Sequence, residues 1–141
     1  MPSTTDVLQD LLQTLRGTGL FALVSLGDAG TASVVPRASV WYDGQEVFPS
    51  DDDVANRWVR LRARVTVHTR SENASEAILR AADLSEAAGE AILSDPYRGQ
   101  RCLDLPIGRA TEVGRSEMSF ASKRPEAEMS FTVRCHFEAA E

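Results

Sequence analysis

The sequence predicts an α+β fold in which two helices pack on one face of a mostly antiparallel sheet. Apolar residues recur at helical spacing in two segments, and two long segments alternate strictly between apolar and polar residues. Such alternation is typical of strands with one buried and one wet face, so we expect the helices to cover only one side of the sheet. With 141 residues, the chain is expected to form a single domain over 1–141.

The first predicted element is a helix that runs to about Arg16. Thr5 or Asp6 is the expected N-cap. Gly17 and Gly19 are expected to end the helix, because glycine adopts the left-handed conformations of helix stops without steric cost. The apolar face of this helix consists of Leu8, Leu11, Leu12 and Leu15.

Several strands are predicted between the two helices. The apolar segment 20–26 indicates a first strand. The segment 33–42 is apolar and β-branched, but Pro36 cannot donate to a ladder, which favours an edge strand or a bent strand. Asp43-Gly44 is typical of a hairpin turn, so we expect 45–48 to form the returning strand.

The clearest strand is predicted from Arg57 to Arg70, where polar and apolar residues alternate without a break. A second helix is expected to start from a cap at Asn73 or Ser75 and to end at Ser94. Its buried stripe is mostly alanine, so this helix should lie close to the sheet. The expected buried side of the strand consists of Val59, Leu61, Ala63, Val65 and Val67.

The C-terminal part of the chain predicts three further strand segments. The range 103–113 is a strand candidate, and Met118 and Phe120 indicate a short paired segment within 114–124. The last strand is expected to begin at Ala127. Its apolar side consists of Met129, Phe131, Val133, Cys135 and Phe137.

Composition argues against several classes of protein. Fifteen basic and 21 acidic residues give a net charge of -6, which is the wrong sign for a protein that coats nucleic acid. No apolar stretch is long enough to span a membrane, and residues 1–10 lack the basic and apolar parts of a secretory signal. Cys102 and Cys135 are expected to be free thiols in an apolar environment.

The sequence contains no motif typical of catalysis or of metal binding. Glycine-rich phosphate loops, paired metal-binding histidines and cysteine pairs at zinc spacing are all missing. His68 and His136 lie on the polar faces of two predicted strands, and beside Glu128 or Glu138 they would form a weak metal or acid–base site if the strands were neighbours. We expect instead two solvated histidines and a function without catalysis, cofactor or bound metal.

Charge is distributed unevenly along the chain. Arginines dominate the wet face of the central strand, whereas the following helix carries acidic residues against the single Arg80. Complementary sides of this kind favour head-to-tail contact between copies, and the alternative is pairing of the same charges within one subunit. The expected subunit contacts are Arg60, Arg62 and Arg64 on the strand and Glu76, Glu86 and Glu90 on the helix.

Four features together resemble a known family. They are the N-terminal amphipathic helix, the arginine-rich strand that ends in Val65-Thr66-Val67-His68-Thr69-Arg70, the alanine-rich helix that closes in Asp95-Pro96-Tyr97, and the final strand from Arg124-Pro125-Glu126 to Val133. This arrangement resembles the tail terminator proteins of long-tailed bacteriophages, of which the lambda minor tail protein U family is the best-known branch. The resemblance covers most of the chain from Arg57 onward, and the segment 33–53 has no match.

The resemblance implies a subunit that forms a ring, commonly a hexamer, at the head-proximal end of the tail tube. Such a ring stops polymerisation of the tail tube protein and presents the surface to which the head–tail connector or stopper attaches, while DNA only passes through its lumen. It belongs to the neck region of a virion tail assembled in the host cytoplasm, in a phage, a prophage or a gene transfer agent. Neither membrane nor cofactor is part of this role. Loops expected to reach the axial neighbours carry Asp28, Asp51, Asp52, Asp53, Lys123 and Arg124.

Two other functions remain open. Another neck component, such as a connector or stopper, shares the size and the ring symmetry of a terminator. A small α+β enzyme or ligand-binding domain would use His68, His136 and the open face of the sheet instead.

Overall fold

The structure, a computed structural model, describes residues 2–27, 34–50, 56–121 and 125–140. Within these ranges the chain forms two helices and one six-stranded sheet, which confirms the predicted α+β class. No helix in these ranges is both long and apolar enough to cross a membrane. In chain order the elements are α1 (Thr4–Gly17), β1 (Leu23–Leu26), β2 (Arg37–Pro49), β3 (Asn56–Arg70), α2 (Ala74–Leu93), β4 (Thr111–Val113), β5 (Glu117–Ala121) and β6 (Glu126–Ala140).

Strands β3 and β6 form the centre of the sheet. They pair antiparallel over their full lengths, from Asn56 opposite Ala140 to Arg70 opposite Glu126. The strand order is β1-β2-β3-β6-β4, and β5 pairs with a part of β6 that β4 leaves free. Among the described strands only β1 and β2 run parallel, so the expected mostly antiparallel sheet is confirmed.

Both helices pack on the same face of the sheet. Leu11 and Leu15 of α1 join Leu61 and Val65 of β3 in one buried cluster, to which β6 contributes Val133. This inner face is the apolar half of the alternating strands, as predicted. Small side chains dominate the buried side of α2, which consists of Ala77, Ala81, Ser85, Ala88, Gly89 and Ile92.

The ends of the helices correct one expectation and confirm another. Ser3, rather than Thr5 or Asp6, is the N-cap of α1: its hydroxyl accepts from the Asp6 N–H, and the Asp6 carboxylate accepts from the Ser3 N–H. This hydrogen bond from the Ser3 backbone lowers the pKa of Asp6. A Ser-x-x-Asp pair thus closes a capping box two or three residues earlier than predicted. Asn73 caps α2, as expected.

The hairpin predicted at Asp43-Gly44 is wrong. Residues 37–49 form one continuous strand after Pro36, and its pairing with β3 shifts between Tyr42 and Gln45. Gly44 has a φ of +102°, a conformation that glycine adopts without a steric penalty. The glycine therefore accommodates a β-bulge, because β3 offers pairing partners on both sides of it.

The strand predicted over 103–113 is mostly wrong as well. Only Thr111–Val113 pairs with β6, and residues 103–110 form a loop. Both ends of this loop bind the backbone of His136: Leu103 N–H donates to the His136 carbonyl, and His136 N–H donates to the Ala110 carbonyl. The loop therefore leaves the edge of the sheet and returns to it at a single residue of β6.

Cys102 and Cys135 meet in the core although they are distant in sequence. Both are free and buried, as expected. Their hydrogen bond and their burial raise the pKa of the Cys102 thiol. Cys102 therefore remains a protonated, small core residue.

Arg98 joins α1 to the C-terminal end of α2. Its side chain is 1% exposed, and its guanidinium lies 3.3 Å from the Asp10 carboxylate of α1. The same guanidinium donates to the carbonyls of Ile92 and Asp95. Carbonyls in the last turn of a helix lack intrahelical donors and carry partial negative charge, so a buried cation stabilises this end of α2.

We expect Arg98→Met to lower the free energy of unfolding by about 3 kcal/mol, because it leaves Asp10 and the carbonyls of Ile92 and Asp95 without their buried partner. Arg101→Met is the matched control. Arg101 also approaches Asp10, at 3.5 Å, but its side chain is 43% exposed. Its loss should cost less than about 1 kcal/mol. Urea unfolding followed by circular dichroism measures both, and equal losses would contradict the role assigned to Arg98.

Candidate assembly surface

The predicted strand contacts lie on the side of the sheet turned away from the helices, which we call the outer face. Arg62 of β3 stands directly opposite Arg134 of β6, and Arg64 stands opposite Thr132. On the other side of β3, Trp41 of β2 pairs with Arg64. The polar half of the two alternating strands therefore forms one continuous surface.

This surface has an excess of positive charge. Like charges directly opposite each other destabilise a sheet, yet Arg62 and Arg134 are neighbours here. Glu112 pairs with Arg134 in register, but its carboxylate lies 3.9 Å from His136 instead. Among the described residues no ion pair forms with Arg62, Arg64, Arg115 or Arg134. The Nε of Arg62 is also buried without a hydrogen-bond partner there.

A groove of about 440 Å³ lies between Arg64 and Arg134 on one side and the segment that leads into β5, which carries Arg115, on the other. The guanidinium of Arg64 lies 5.9 Å from the centre of the Trp41 ring, a contact that helps to hold it in place. Arginine offers only donors, so the groove suits an anionic partner. The polar or flexible side chains lining it are Arg64, Arg115, Arg134, Ser130, Thr132, Glu117 and Met118.

Arg60, the third predicted strand contact, is engaged within the subunit. Its guanidinium donates to His136 Nε2 at 3.1 Å and to the Ile107 carbonyl at 2.7 Å. It also lies 3.8 Å from Glu46 and 5.3 Å from the centre of the Phe48 ring. Pairing within one subunit therefore accounts for Arg60, and only Arg62 and Arg64 of the predicted set remain available.

The prediction of a solvated histidine is wrong for His136. The loop 103–110 folds over this end of the outer face, so the His136 side chain is 0% exposed. Nδ1 lies 2.5 Å from the Arg109 carbonyl, and Nε2 accepts from Arg60. The two bonds together assign the proton to Nδ1. His136 thus fastens the loop to the sheet.

His68 does not meet His136, although their strands are neighbours. In the β3–β6 register His68 pairs with Glu128, whereas His136 pairs with Arg60, eight residues away along β3. At about 3.4 Å per residue the two positions are about 27 Å apart. The weak metal or acid–base site considered for this pair is therefore not formed.

The predicted helix contacts Glu76, Glu86 and Glu90 all lie on the exposed side of α2, pointing away from the sheet. They belong to a line of exposed residues spaced alternately by four and three positions, which we call the acidic stripe. Leu79, at 66%, and Leu93, at 45%, are its exposed apolar members. The stripe consists of Glu72, Glu76, Leu79, Asp83, Glu86, Glu90 and Leu93.

The acidic stripe and the outer-face arginines lie on opposite sides of the subunit. A helix is about 10–12 Å across, so both α2 and the sheet separate the two sets of charges. Arg60 and Arg70 find carboxylates within the sheet, at Glu46 and Glu126. Arg62 and Arg64 cannot reach the stripe of their own chain.

The predicted axial contacts lie outside the described residues. They are Asp28, Asp51, Asp52, Asp53, Lys123 and Arg124.

Sequence patterns missed three contributors to this surface. Arg134 is visible only as one polar residue of an alternating strand until the register places it against Arg62. Arg115 falls between strands, where no periodicity applies. Leu79 lies outside the buried stripe of α2. The sequence itself shows this, because Leu79 does not fit the helical spacing of the buried residues.

No cluster of metal-ligating side chains occurs in the described part of the chain. Comparison with known proteins finds no matching family model and no matching curated protein. The geometry of the outer face and of the acidic stripe is therefore the basis for any functional proposal.

Gly108→Ala should lower the free energy of unfolding by about 1–3 kcal/mol. An added Cβ would lie 2.5 Å from His136 Cε1 and 2.7 Å from Glu112 Oε1, and His136 is held from both ring nitrogens. Gly17→Ala serves as control, because nothing lies within 4 Å of its Cβ position. Thermal unfolding should show that variant unchanged or slightly more stable. A Gly108→Ala variant with the same free energy of unfolding as the parent would contradict the close packing of the loop 103–110 against His136.

Stability should fall in acid through His68. Burial, together with the nearby Arg37, lowers the pKa of His68 from 6.5. The unfolded chain then binds more protons than the folded one, so this contribution is lost as the pH falls below about 6.5. Urea unfolding at about pH 7.5 and 5.0 should show a larger loss for the parent than for His68→Gln. Equal losses of stability in the parent and in His68→Gln would exclude a contribution of His68 to the pH dependence.

Proposed function

We propose that the protein is a tail terminator of a bacteriophage tail or a related particle, a subunit whose copies join head to tail into a ring that caps the tail tube. One observation carries the proposal. Arg62 and Arg64 on the outer face lack carboxylate partners among the described residues, and the acidic stripe lies on the opposite side of the same subunit. In a head-to-tail contact, a second copy supplies carboxylates to the arginines and arginines to the acidic stripe.

Contact between two different patches produces a particular kind of assembly. Each subunit uses its basic side towards one neighbour and its acidic side towards the next, so the contact is heterologous. Such contacts form closed rings when the rotation between copies closes and open filaments otherwise. The resemblance to tail terminators favours the ring, commonly a hexamer.

Termination of the tail follows from the same geometry. The ring binds the exposed end of the tube, and its far side no longer matches a tube subunit, so growth stops. That far side is then free for a connector or stopper protein. Turnover of a substrate has no part in the proposed mechanism, and the histidine site considered for an enzyme is not formed, because His68 and His136 are separated along β3 and β6.

Arg62→Glu combined with Arg64→Glu should weaken self-association by about tenfold or more, because attraction to the stripe becomes repulsion. Light scattering measures the oligomer mass, and circular dichroism should show the fold unchanged. Arg109→Glu, which reverses one charge on an exposed residue outside the groove, is the charge-matched control for Arg64→Glu alone. An unchanged oligomer mass in the double variant would refute the assembly contact.

The role in the tail is tested in particles. Deletion of a terminator should leave full heads and abnormally long tubes, and added protein should restore the tube length. Normal free tubes beside heads that lose their DNA would identify a stopper instead. Negative-stain images of purified tubes with and without the protein distinguish the two.

A further inference from the structure

We propose that Cys102 and Cys135 are a dithiol pair that peroxide converts reversibly to an intrachain disulfide, and that this bond fastens the loop 103–110 to β6. The two side chains are distant in sequence, but they share a hydrogen bond in the core. Both are free thiols in the structure. The inference concerns the core and does not depend on the proposed function.

Backbone hydrogen bonds hold the two cysteines side by side. Cys102 N–H donates to the Tyr97 carbonyl, and the next residue, Leu103, donates to the carbonyl of His136. Cys135 directly precedes His136 on β6. Each cysteine is therefore one residue away from the same hydrogen bond between the loop and the strand. The thiols are already in contact, so a bond between them requires no change in the strand order.

Cys135 is the more reactive of the two thiols. The hydrogen bond from Cys102 lowers the pKa of Cys135, against the opposing effect of burial. The same hydrogen bond raises the pKa of Cys102. The thiolate is the nucleophile in oxidation by peroxide. Cys135 is therefore expected to react first, and Cys102 to displace the product.

The reaction consumes one peroxide and releases two waters. Cys135 Sγ attacks a peroxide oxygen and the O–O bond breaks, which leaves a sulfenic acid on Cys135, while the thiol proton leaves with the other oxygen as water. Cys102 Sγ then attacks Cys135 Sγ and the S–O bond breaks, so that the hydroxyl leaves as water with the Cys102 proton. The two sulfurs together lose two electrons, which reduce the peroxide. A thiol reductant reverses the bond by exchange.

Peroxide reaches the pair when the loop 103–110 opens. Cys102 is 2% exposed and Cys135 is 0% exposed, so the closed protein excludes the oxidant. The loop begins directly after Cys102, and local opening of such a segment costs less free energy than global unfolding. The disulfide closes a covalent ring that contains the loop, β4 and β5. It therefore restricts both the opened and the unfolded chain.

Mass spectrometry and thermal unfolding after treatment with hydrogen peroxide test the proposal. The treated monomer should lose two hydrogens, yield a peptide cross-linked between Cys102 and Cys135, and melt about 5–15 °C higher than the reduced protein. Dithiothreitol should reverse these changes. Cys102→Ala and Cys135→Ala are the matched controls, because each removes one sulfur and keeps a small side chain in the core. Neither variant should become more stable on treatment.

Gly108→Ala tests the entry route. Its added Cβ would crowd His136 and weaken the packing of the loop 103–110, so the open form is more populated. Disulfide formation should therefore be about fivefold faster or more than in Gly17→Ala, where nothing lies within 4 Å of the added Cβ. Equal rates in the two variants would overturn opening of the loop as the entry route.

Four outcomes in the parent protein would overturn the dithiol pair. They are thiols that stay reduced in peroxide, uptake of oxygen atoms without a cross-link, disulfide-linked dimers, and a cross-linked monomer whose melting temperature is unchanged. The last outcome would show that the bond does not fasten the loop 103–110.

Discussion

The pairing of β3 with β6 is the constraint on which the rest of the structure depends. Fifteen residues of β3 face β6 in one uninterrupted register. Because side chains alternate between faces, burying Leu61 and Val133 on the inside obliges Arg62 and Arg134 to stand on the outside. A slip by one residue would turn the arginines into the core, so the core selects this register strongly. The charge of the outer face is therefore a consequence of how the core packs.

Elements with a long, regular pattern were predictable from the sequence, and irregular ones were not. The strands β3 and β6 and the helix α2 each repeat one period over many residues, so local pattern and tertiary environment agree. Asp43-Gly44 is a turn signal by local chemistry alone, but long pairing with β3 on both sides makes it a bulge. The loop 103–110 has no period, because hydrogen bonds to the distant His136 hold it.

The same distinction applies to the candidate surface. Alternation alone placed Arg62 and Arg64 on a wet face and Glu86 on an exposed side of α2. It did not reveal that Arg60 turns towards His136, because that contact depends on where the loop 103–110 crosses the sheet. Nor did it indicate Arg134, whose importance comes from strand order. The sequence shows which residues are charged and which face of a strand they occupy. Which residues become neighbours on strands far apart in the chain is known only from the strand order.

Arginines without a carboxylate partner among the described residues behave differently in an isolated subunit and in the proposed assembly. In the subunit, water solvates the exposed Arg64 and Arg134 on the outer face, which limits the cost of repulsion between the arginines. Once another protein surface excludes that water, each charge needs a partner, because a buried unpaired charge is strongly destabilising. A contact between copies is then tolerated in the register that pairs the charges and rejected in others. In the proposed assembly the arginines specify the direction in which copies join, which a ring with two unlike sides needs if it is to bind a tube on one side only.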